Sequence, residues 1–440
     1  MIGMNIILLS GGSGKRLWPL SNDVRSKQFI KLFKDDSGEY ESMVQRVYRQ
    51  IETVGRETNI VIATSKSQVS SIHNQVGENV NICIEPMRRD TFPAIFLAAL
   101  YLRDVMGVHE NDCVAVCPVD PYVEDDYYQA VLGMEELVLS DSARLTLMGI
   151  EPTVASDKYG YIIPESADDV SRVKAFREKP DIVTAEEYIR VGALWNAGVF
   201  AFRLGYIIGK GAELTGYSTY DDLYENYEKL EKISFDYAVA EKEASIQVMR
   251  YSGEWKDVGT WNMMTEVMAD NVKGTAILDN ACKNTQVVNE LDIPILVMGA
   301  KNMVVAASGD GILVADKNRS GYMKPYVEQI STEVKYAEKS WGEYQVIDAG
   351  PGYMSVKVTL TAGNRMSYHM HKYREEIWTV LSGMGRVIID GNEKPVKSGD
   401  VIMIRPEEYH TIIADTEMMV QETQIGDNIS VSDKFKSELI

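Results

Sequence analysis

Positive charge, cysteine and imidazole are all scarce in this chain. Its 440 residues carry 45 Lys and Arg against 65 Asp and Glu, a formal net charge of -20. Nucleic acid and anionic membranes need a basic face, so neither is expected as a partner. Only four cysteines occur, Cys83, Cys113, Cys117 and Cys282, with no CxxC spacing. Three of them lie in apolar strand-like runs, where small buried thiols rather than disulfides are expected. The longest apolar run, 92 to 102, has 11 residues and contains Pro93. That is short of the ~20 residues a bilayer span needs. No basic leader with a small-residue cleavage site opens the chain, and a cytoplasmic location is expected. Two phosphate-binding fingerprints are missing as well. The Walker A pattern fails because Lys15 precedes Arg16 rather than Ser or Thr, and the dinucleotide pattern fails because Leu17 stands where its third glycine belongs.

What the chain does have is concentrated at its start. Asn5-Ile-Ile-Leu-Leu-Ser10 reads as a buried strand, since Ile and Leu without alternation suit a sheet covered on both faces. It breaks into Gly11-Gly-Ser-Gly-Lys-Arg-Leu-Trp-Pro-Leu20, where glycines let bare N–H groups approach an anion. Up to residue 27, Lys15, Arg16, Arg25 and Lys27 face the single acid Asp23. A cationic loop in an acidic chain points to a nucleoside triphosphate. The string Gly11-Gly-x-Gly-x-Arg-Leu-Trp-Pro-Leu-Ser21 with Lys27-Gln-Phe29 resembles the signature loop of sugar-1-phosphate nucleotidyltransferases, specifically the mannose-1-phosphate guanylyltransferase branch. Lys15 stands where that branch usually has Thr, and Ser26 where it has Pro.

The length calls for two or three domains. From 1 to 270, short apolar runs such as Asn59-Ile-Val-Ile-Ala63 and Val114-Ala-Val-Cys117 alternate with helical stretches such as Tyr128 to Val138. This predicts an α/β, Rossmann-like nucleotidyltransferase domain with a mainly parallel sheet. From 271 to 335 the pieces are short and β-like, a small β-helix-like segment, with a polar linker at 331–340. From 336 to 440, alternation and regular turns predict an all-β barrel.

Joining a sugar phosphate to a nucleotide brings two polyanions together, which calls for basic groups and a divalent cation. The resemblance places catalytic roles on Lys15, Arg16, Lys27, Asp120 and Asp257, with Mg²⁺ held by Asp120 and Asp257. Asp120 matches the Asp ending the family's Pro-x-Asp strand, and Asp257 the one in Asp-Val-Gly-x-Trp. Glu85-Pro-Met-Arg-Arg-Asp-Thr-Phe-Pro-Ala94 resembles the segment that meets the base, with Asp90-Thr-Phe-Pro93 replacing the branch's Asn-Thr-Ala-Pro. The implied nucleotide-binding set is Ser10, Gly11, Gly12, Gly14, Lys15, Arg16, Glu85, Arg88, Asp90 and Thr91. Lys158-Tyr-Gly-Tyr-Ile162, Phe176-Arg-Glu-Lys-Pro180 and Trp195-Asn-Ala-Gly-Val-Phe200 match the sugar-side motifs, implying Gly160, Glu178, Lys179 and Asn196 on the substrate.

Three of the five histidines fall in one pattern. Gly363-x5-His369-x-His371-x4-Glu376-x6-Gly383 has the spacing of a first cupin motif, and Gly399-x5-Arg405-x-Glu407-x2-His410 that of a second. Residues two apart on a strand share a face, so His369 and His371 can both enter a barrel. With Glu376 and His410 they make a set for Zn²⁺ or a similar divalent transition metal. His73 and His109 lie in polar surroundings and are expected to face solvent. Lys339-Ser-Trp-Gly-Glu-Tyr344 and Met370-His-x-x-Arg-x-Glu-x-Trp378 resemble the cupin of type II mannose-6-phosphate isomerases. His369 replaces that family's usual Gln, and its later Ile-Val-Arg and Tyr-Gly-Arg elements are absent.

The resemblance implies an enzyme making GDP-mannose and pyrophosphate from GTP and mannose-1-phosphate, expected as a homodimer. Two alternatives stay open: an additional isomerase activity in the cupin, and transfer to another sugar-1-phosphate or from another base.

Overall fold

Asn5–Leu9 is strand β1 in a computed structural model of the chain, its first four residues fully buried, as an unalternating apolar run requires. The structure describes residues 3–12, 15–22, 24–54, 58–330, 335–427, 429–430 and 432–437. These fall into two compact units. The first takes in the chain up to Gly12, then Gln28–Gly259 and Glu266–Ala269. The second takes in Ser13–Lys27, Thr260–Thr265 and the chain from Asp270.

In the first unit, β2 (Phe33–Lys34) and β3 (Tyr40–Glu41) form a small hairpin, and β4 (Ile60–Ser65), β5 (Asn81–Glu85) and β6 (Cys113–Pro118) flank β1. The chain continues through β7 (Pro121–Val123), β8 (Leu145–Ile150), β9 (Tyr161–Pro164), β10 (Val170–Arg177), β11 (Leu194–Arg203), β12 (Ile246–Tyr251) and β13 (Trp255–Asp257). Nine of these make one sheet in the order β5-β4-β1-β6-β11-β8-β12-β10-β9. The expected parallel pairing holds from β5 to β6 and between β8 and β12. Strand β11 runs antiparallel to β6, β8 and β9, so the second half of the sheet is mixed.

The apolar run 92–102 lies in a helix, Thr91–Asp104, that is buried on nearly every side against this sheet. Helix 125–139 covers the stretch expected from Tyr128 to Val138. Among the described residues no helix is long and apolar enough to cross a membrane. Cys83, Cys113 and Cys117 are buried free thiols.

In the second unit, β14 (Val272–Lys273), β16 (Gln286–Asn289) and β18 (Met303–Ser308) stack in parallel, as do β15 (Ala276–Leu278) and β17 (Ile295–Val297). Strand β19 (Gly311–Asp316) closes this segment antiparallel to β18. The barrel follows as two antiparallel sheets. One joins β20 (Tyr336–Lys339), β21 (Gly342–Gly350), β22 (Tyr353–Leu360), β29 (Met418–Gly426), β24 (Arg374–Ser382) and β27 (Val401–Ile404). The other joins β26 (Asn392–Lys397), β25 (Met384–Ile389), β28 (His410–Ala414), β23 (His369–Met370) and β30 (Phe435–Lys436). Between them lie Val358, Leu360, Trp378, Val380, Ile404, Ile412 and Val420. The linker expected at 331–340 is not one throughout: 336–339 pair with 342–345 as β20. An edge strand is partly wetted and carries polar residues, which hides it from hydropathy.

Candidate active site and metal centre

Strand β6 delivers the chain to Asp120, and the β7–β13 ladder sets Asp257 opposite Pro121, the residue after Asp120, which brings both acids to one cavity. Both line a cavity of about 200 Å³, together with Lys158, Tyr159, Gly160, Glu178, Asn196, Asp236 and Trp255. Four of the expected sugar- and metal-side residues thus reach one cavity from separate strands, and Gly160 is placed by its backbone. The Asn196 N–H donates to the Gly160 carbonyl at 2.8 Å. The Asn196 side chain donates to Asp236 Oδ1 at 2.7 Å and accepts from the Gly198 N–H at 3.1 Å. A Cβ on Gly160 would stand 2.5 Å from Glu178 Oε2. Lys179, held at a φ of 46°, pairs with Glu178. Burial, reinforced by the Glu178 charge, pushes the Asp236 carboxyl up to about 6. The Tyr159 ring packs 4.8 Å from Trp195 and 5.7 Å from Trp255, and burial followed by the Asp257 charge pushes its hydroxyl up to about 12.

Near the glycine turn of the same unit, Gln28 Nε2 donates to the Ser10 carbonyl at 3.1 Å. Gly11 and Gly12 are exposed, and Gly12 has a φ of 126°, which the absence of a Cβ permits. Arg88 donates to the Gly12 carbonyl at 3.3 Å, tying the segment expected to meet the base to the glycine turn. Glu85 ends β5 and is buried; Tyr227 donates to it at 2.9 Å, and burial pushes its carboxyl up to about 6. The Asp90 carboxylate caps the helix it opens, accepting from the Thr91 N–H at 2.8 Å, while Thr91 Oγ1 accepts from the Phe235 N–H at 2.8 Å. Gly14 and the Lys15 side chain lie outside the described residues. Arg16 is exposed in the 15–17 turn of the second unit, and Lys27 opens the 27–29 turn. Arg25, counted among the phosphate-facing charges, is instead paired to Glu290 at 2.7 Å.

In the barrel, His369 and His410 are cross-strand partners, and His371 lies one residue past β23. Ring centres are 4.4 Å apart for His369–His410, 4.8 Å for His369–His371 and 5.4 Å for His371–His410. Each Nδ1 faces a backbone carbonyl: Ser367 at 2.6 Å, Asp433, and Glu408 at 2.9 Å. An Nδ1–H donated to a carbonyl leaves the Nε2 lone pair for a metal. Burial, then the nearby Lys434 charge, holds His369 down to about 2, so it is neutral. Glu376 Oε1 lies 3.0 Å from His371 Nε2, and its Oε2 accepts from Trp378 at 3.1 Å. His410 Nε2 is buried with no hydrogen-bond partner among the described residues. His371 Nε2 and His410 Nε2 lie 3.0 and 3.5 Å from Glu376, and with His369 beside them the three imidazoles and one carboxylate make a donor set that fits a divalent transition metal. One ligand atom from each histidine lies within 4.8 Å of the others. Glu407 has a φ of 69° where the cupin pattern usually has Gly. His109 is exposed, but His73 is half-buried and sits 3.2 Å from Glu78.

A family model described as nucleotidyl transferase matches residues 5–274. The chain belongs to this family. A second model, described as mannose-6-phosphate isomerase C-terminal, matches residues 328–437. Mannose-1-phosphate guanylyltransferase ManC of Salmonella typhimurium is 30% identical over 440 residues, covering 90% of this chain and 89% of its own. The mannose-1-phosphate guanylyltransferase of Escherichia coli K12 is 29% identical over 437 residues, covering 90% of each. A crystal structure titled mannose-1-phosphate geranyltransferase, from Thermus thermophilus, superposes with a TM-score of 0.61 at 27% identity, covering 75% of this chain and 99% of that one. This nucleotidyl transferase is therefore an enzyme of the mannose-1-phosphate guanylyltransferase branch with a C-terminal cupin-like domain.

One acid of this cavity escaped the motif reading altogether: Asp236 lies in none of the strings and is identified only by its bond to Asn196. Lys158, Tyr159 and Trp255 also line it; they stand within or beside recognised motifs, but the sequence assigned them no role. In the barrel, Arg374 was a named position of the metal-strand string with no role given; its guanidinium donates to Glu376 at 3.1 Å and lies 3.1 Å from His371 Nε2.

Proposed function

We propose that this transferase forms GDP-mannose and pyrophosphate from GTP and mannose-1-phosphate. The observation that carries the reading is the convergence of Asp120, Asp257, Gly160, Glu178 and Asn196 on one cavity. A phosphate oxygen of the sugar phosphate attacks the α-phosphorus; the new O–P bond forms as the bond to the β-phosphate breaks and pyrophosphate leaves. Asp120 and Asp257 would hold Mg²⁺, which when bound neutralises charge on the phosphates. Asn196 and Glu178 orient the sugar hydroxyls, Asn196 being fixed by Asp236 and Gly198. Lys179 stands beside the sugar phosphate. Glu85 accepts the N–H donors on guanine's edge, with Ser10, Gly11, Gly12, Arg88, Asp90 and Thr91 around the nucleotide, and the resemblance extends this set along the chain to Gly14, Lys15, Arg16 and Lys27.

In the cupin, His369, His371, Glu376 and His410 would hold the transition metal. The isomerase alternative is not favoured: relatives aligned over 90% of this chain carry the transferase name. Measuring pyrophosphate release with four nucleoside triphosphates and several hexose-1-phosphates tests the reading. GTP with mannose-1-phosphate is expected to give the highest kcat/KM; a different pair favoured about tenfold, some 1.4 kcal/mol, overturns it.

A further inference from the structure

Within the segment 15–27 the bonds are local turns: the Leu17 N–H donates to Ser21 Oγ at 3.2 Å, the Leu20 N–H to the Leu17 carbonyl at 3.0 Å and the Asn22 N–H to the Arg25 carbonyl at 2.9 Å. Its order comes from residues far downstream in the same compact unit. Ser308 Oγ donates to the Pro19 carbonyl at 2.7 Å, and Trp261 Nε1 to the Trp18 carbonyl at 3.0 Å. Asn22 Oδ1 gathers the Val24 and Arg25 N–H groups at 2.8 and 2.7 Å, while its Nδ2 donates to Asp310 Oδ2 at 2.7 Å. The other oxygen of Asp310 accepts at 3.0 Å from the N–H of Lys335, the residue before β20. One buried carboxylate therefore bridges the signature segment to the opening of the barrel. Arg25 makes the second bridge. It donates to both oxygens of Glu290 at 2.7 and 3.0 Å, and its guanidinium lies 5.1 Å from the centre of the Tyr336 ring in β20. Tyr336 is fixed in turn by donating to Glu343 at 2.6 Å.

Bidentate Arg–carboxylate pairs supply geometric definition as well as energy, and a bridging carboxylate fixes the spacing of the two groups it accepts from. A buried arginine paired on one side and stacked on an aromatic ring on the other has one favourable place to be. We propose that the opening strand of the barrel belongs to the positioning apparatus of the signature segment. Asp310 and Tyr336 act through Asn22 and Arg25 to hold the turn that carries Arg16 for a nucleoside triphosphate. This rests on the reading of Arg16 as a triphosphate contact. The barrel then contributes to nucleotide transfer without touching substrate, whether or not it turns over a substrate of its own.

Steady-state pyrophosphate release by full-length Asp310→Asn, Tyr336→Leu and Tyr336→Phe, with thermal melting as a check on folding, tests the proposal. Asn can accept from one of the two donors at most, and Leu removes the ring face beneath Arg25. Both variants should raise KM for the triphosphate about five- to tenfold, the lower range of ordinary coupling between distinct sites. kcat and KM for the hexose-1-phosphate should stay within about twofold of wild type, far below that coupling. Tyr336→Phe keeps the ring and should restore the triphosphate KM. An unchanged triphosphate KM in Tyr336→Leu overturns the proposal, as does a loss of kcat and both affinities in step with lost folded protein. If Asp310→Asn does not fold, the Leu and Phe pair at 336 decides alone. A wild-type enzyme with no triphosphate-dependent release would instead refute the functional reading beneath it.

Discussion

Adding one methyl group at Gly160 tests the sugar side of the cavity with the smallest available change. In Gly160→Ala the new Cβ would stand 2.5 Å from Glu178 Oε2 and 3.2 Å from Phe176 Cζ, and contacts below 3.0 Å force something to move. Phe176 is 3% exposed and packed in the sheet core, so it has nowhere to go. Glu178 must yield, although its side chain is only 6% exposed and is held by Lys179. Overpacking costs ~1–3 kcal/mol, and a carboxylate that can rotate about its last bonds places this case near 1–1.5 kcal/mol. At about 1.4 kcal/mol per decade, that is roughly a five- to tenfold rise in KM for the hexose-1-phosphate. Pyrophosphate-release kinetics should show that rise with KM for the triphosphate unchanged. In a Glu178→Ala background the 2.5 Å contact is gone and only the milder 3.2 Å approach to Phe176 remains, so most of the effect should disappear. An unchanged sugar-phosphate KM in folded Gly160→Ala would refute the reasoning. So would a penalty that persists undiminished without Glu178.

Three further outcomes are expected. Asp120→Asn and Asp257→Asn should each lower kcat by about two to three decades, ~2.7–4 kcal/mol, at an unchanged melting temperature; either variant retaining more than about a tenth of the rate contradicts the metal assignment. Elemental analysis should find a transition metal in the wild-type protein and none in His371→Ala, with transferase turnover largely kept; equal metal contents would show that the barrel ligands are wrongly chosen. The Asp236 carboxyl, raised from 3.8 to about 6 by burial and then by Glu178, holds a proton in the folded state that the unfolded chain has shed. Its stabilising contribution is complete below pH ~4 and is lost as pH rises through about 6. Asp236→Asn, which can still accept from Asn196, should therefore gain in melting temperature relative to wild type between those values, and a flat difference would rule out a buried acid there.

Much of this was legible from residue order alone. Short unalternating runs of Ile, Leu and Val in β1, β4 and β6, bounded by turn residues, read as strands covered on both faces, and the strand-end position of Asp120 follows from that reading; the longer run at 92–102 is a helix instead. The period of two between His369 and His371 likewise needs only strand geometry. Other features are set by partners the local sequence does not name. Nothing within 194–203 says that β11 will run antiparallel to three neighbours, because pairing direction is a property of the assembled sheet. Arg25 reads as one more phosphate-side charge until Glu290, 265 positions on, claims it. Asp236 has no diagnostic spacing, and β20 has the polarity of a linker because it is an edge.

The bridges around the signature segment also bear on how the chain is made. Arg25 is separated from Glu290 by 265 residues, and Asn22 from Asp310 by 288. At about 5–20 residues per second, a ribosome takes some 13–60 s to supply those partners. Throughout that interval Leu17, Trp18 and Leu20 lack the groups that later enclose them, while the sheet around β1 can already pair with β4 and β6. Nascent chains halted before residue 335 should accordingly be good chaperone clients and easily cleaved near residue 20. The signature segment, made well before its partners, is among the last parts of its unit to reach a final shape.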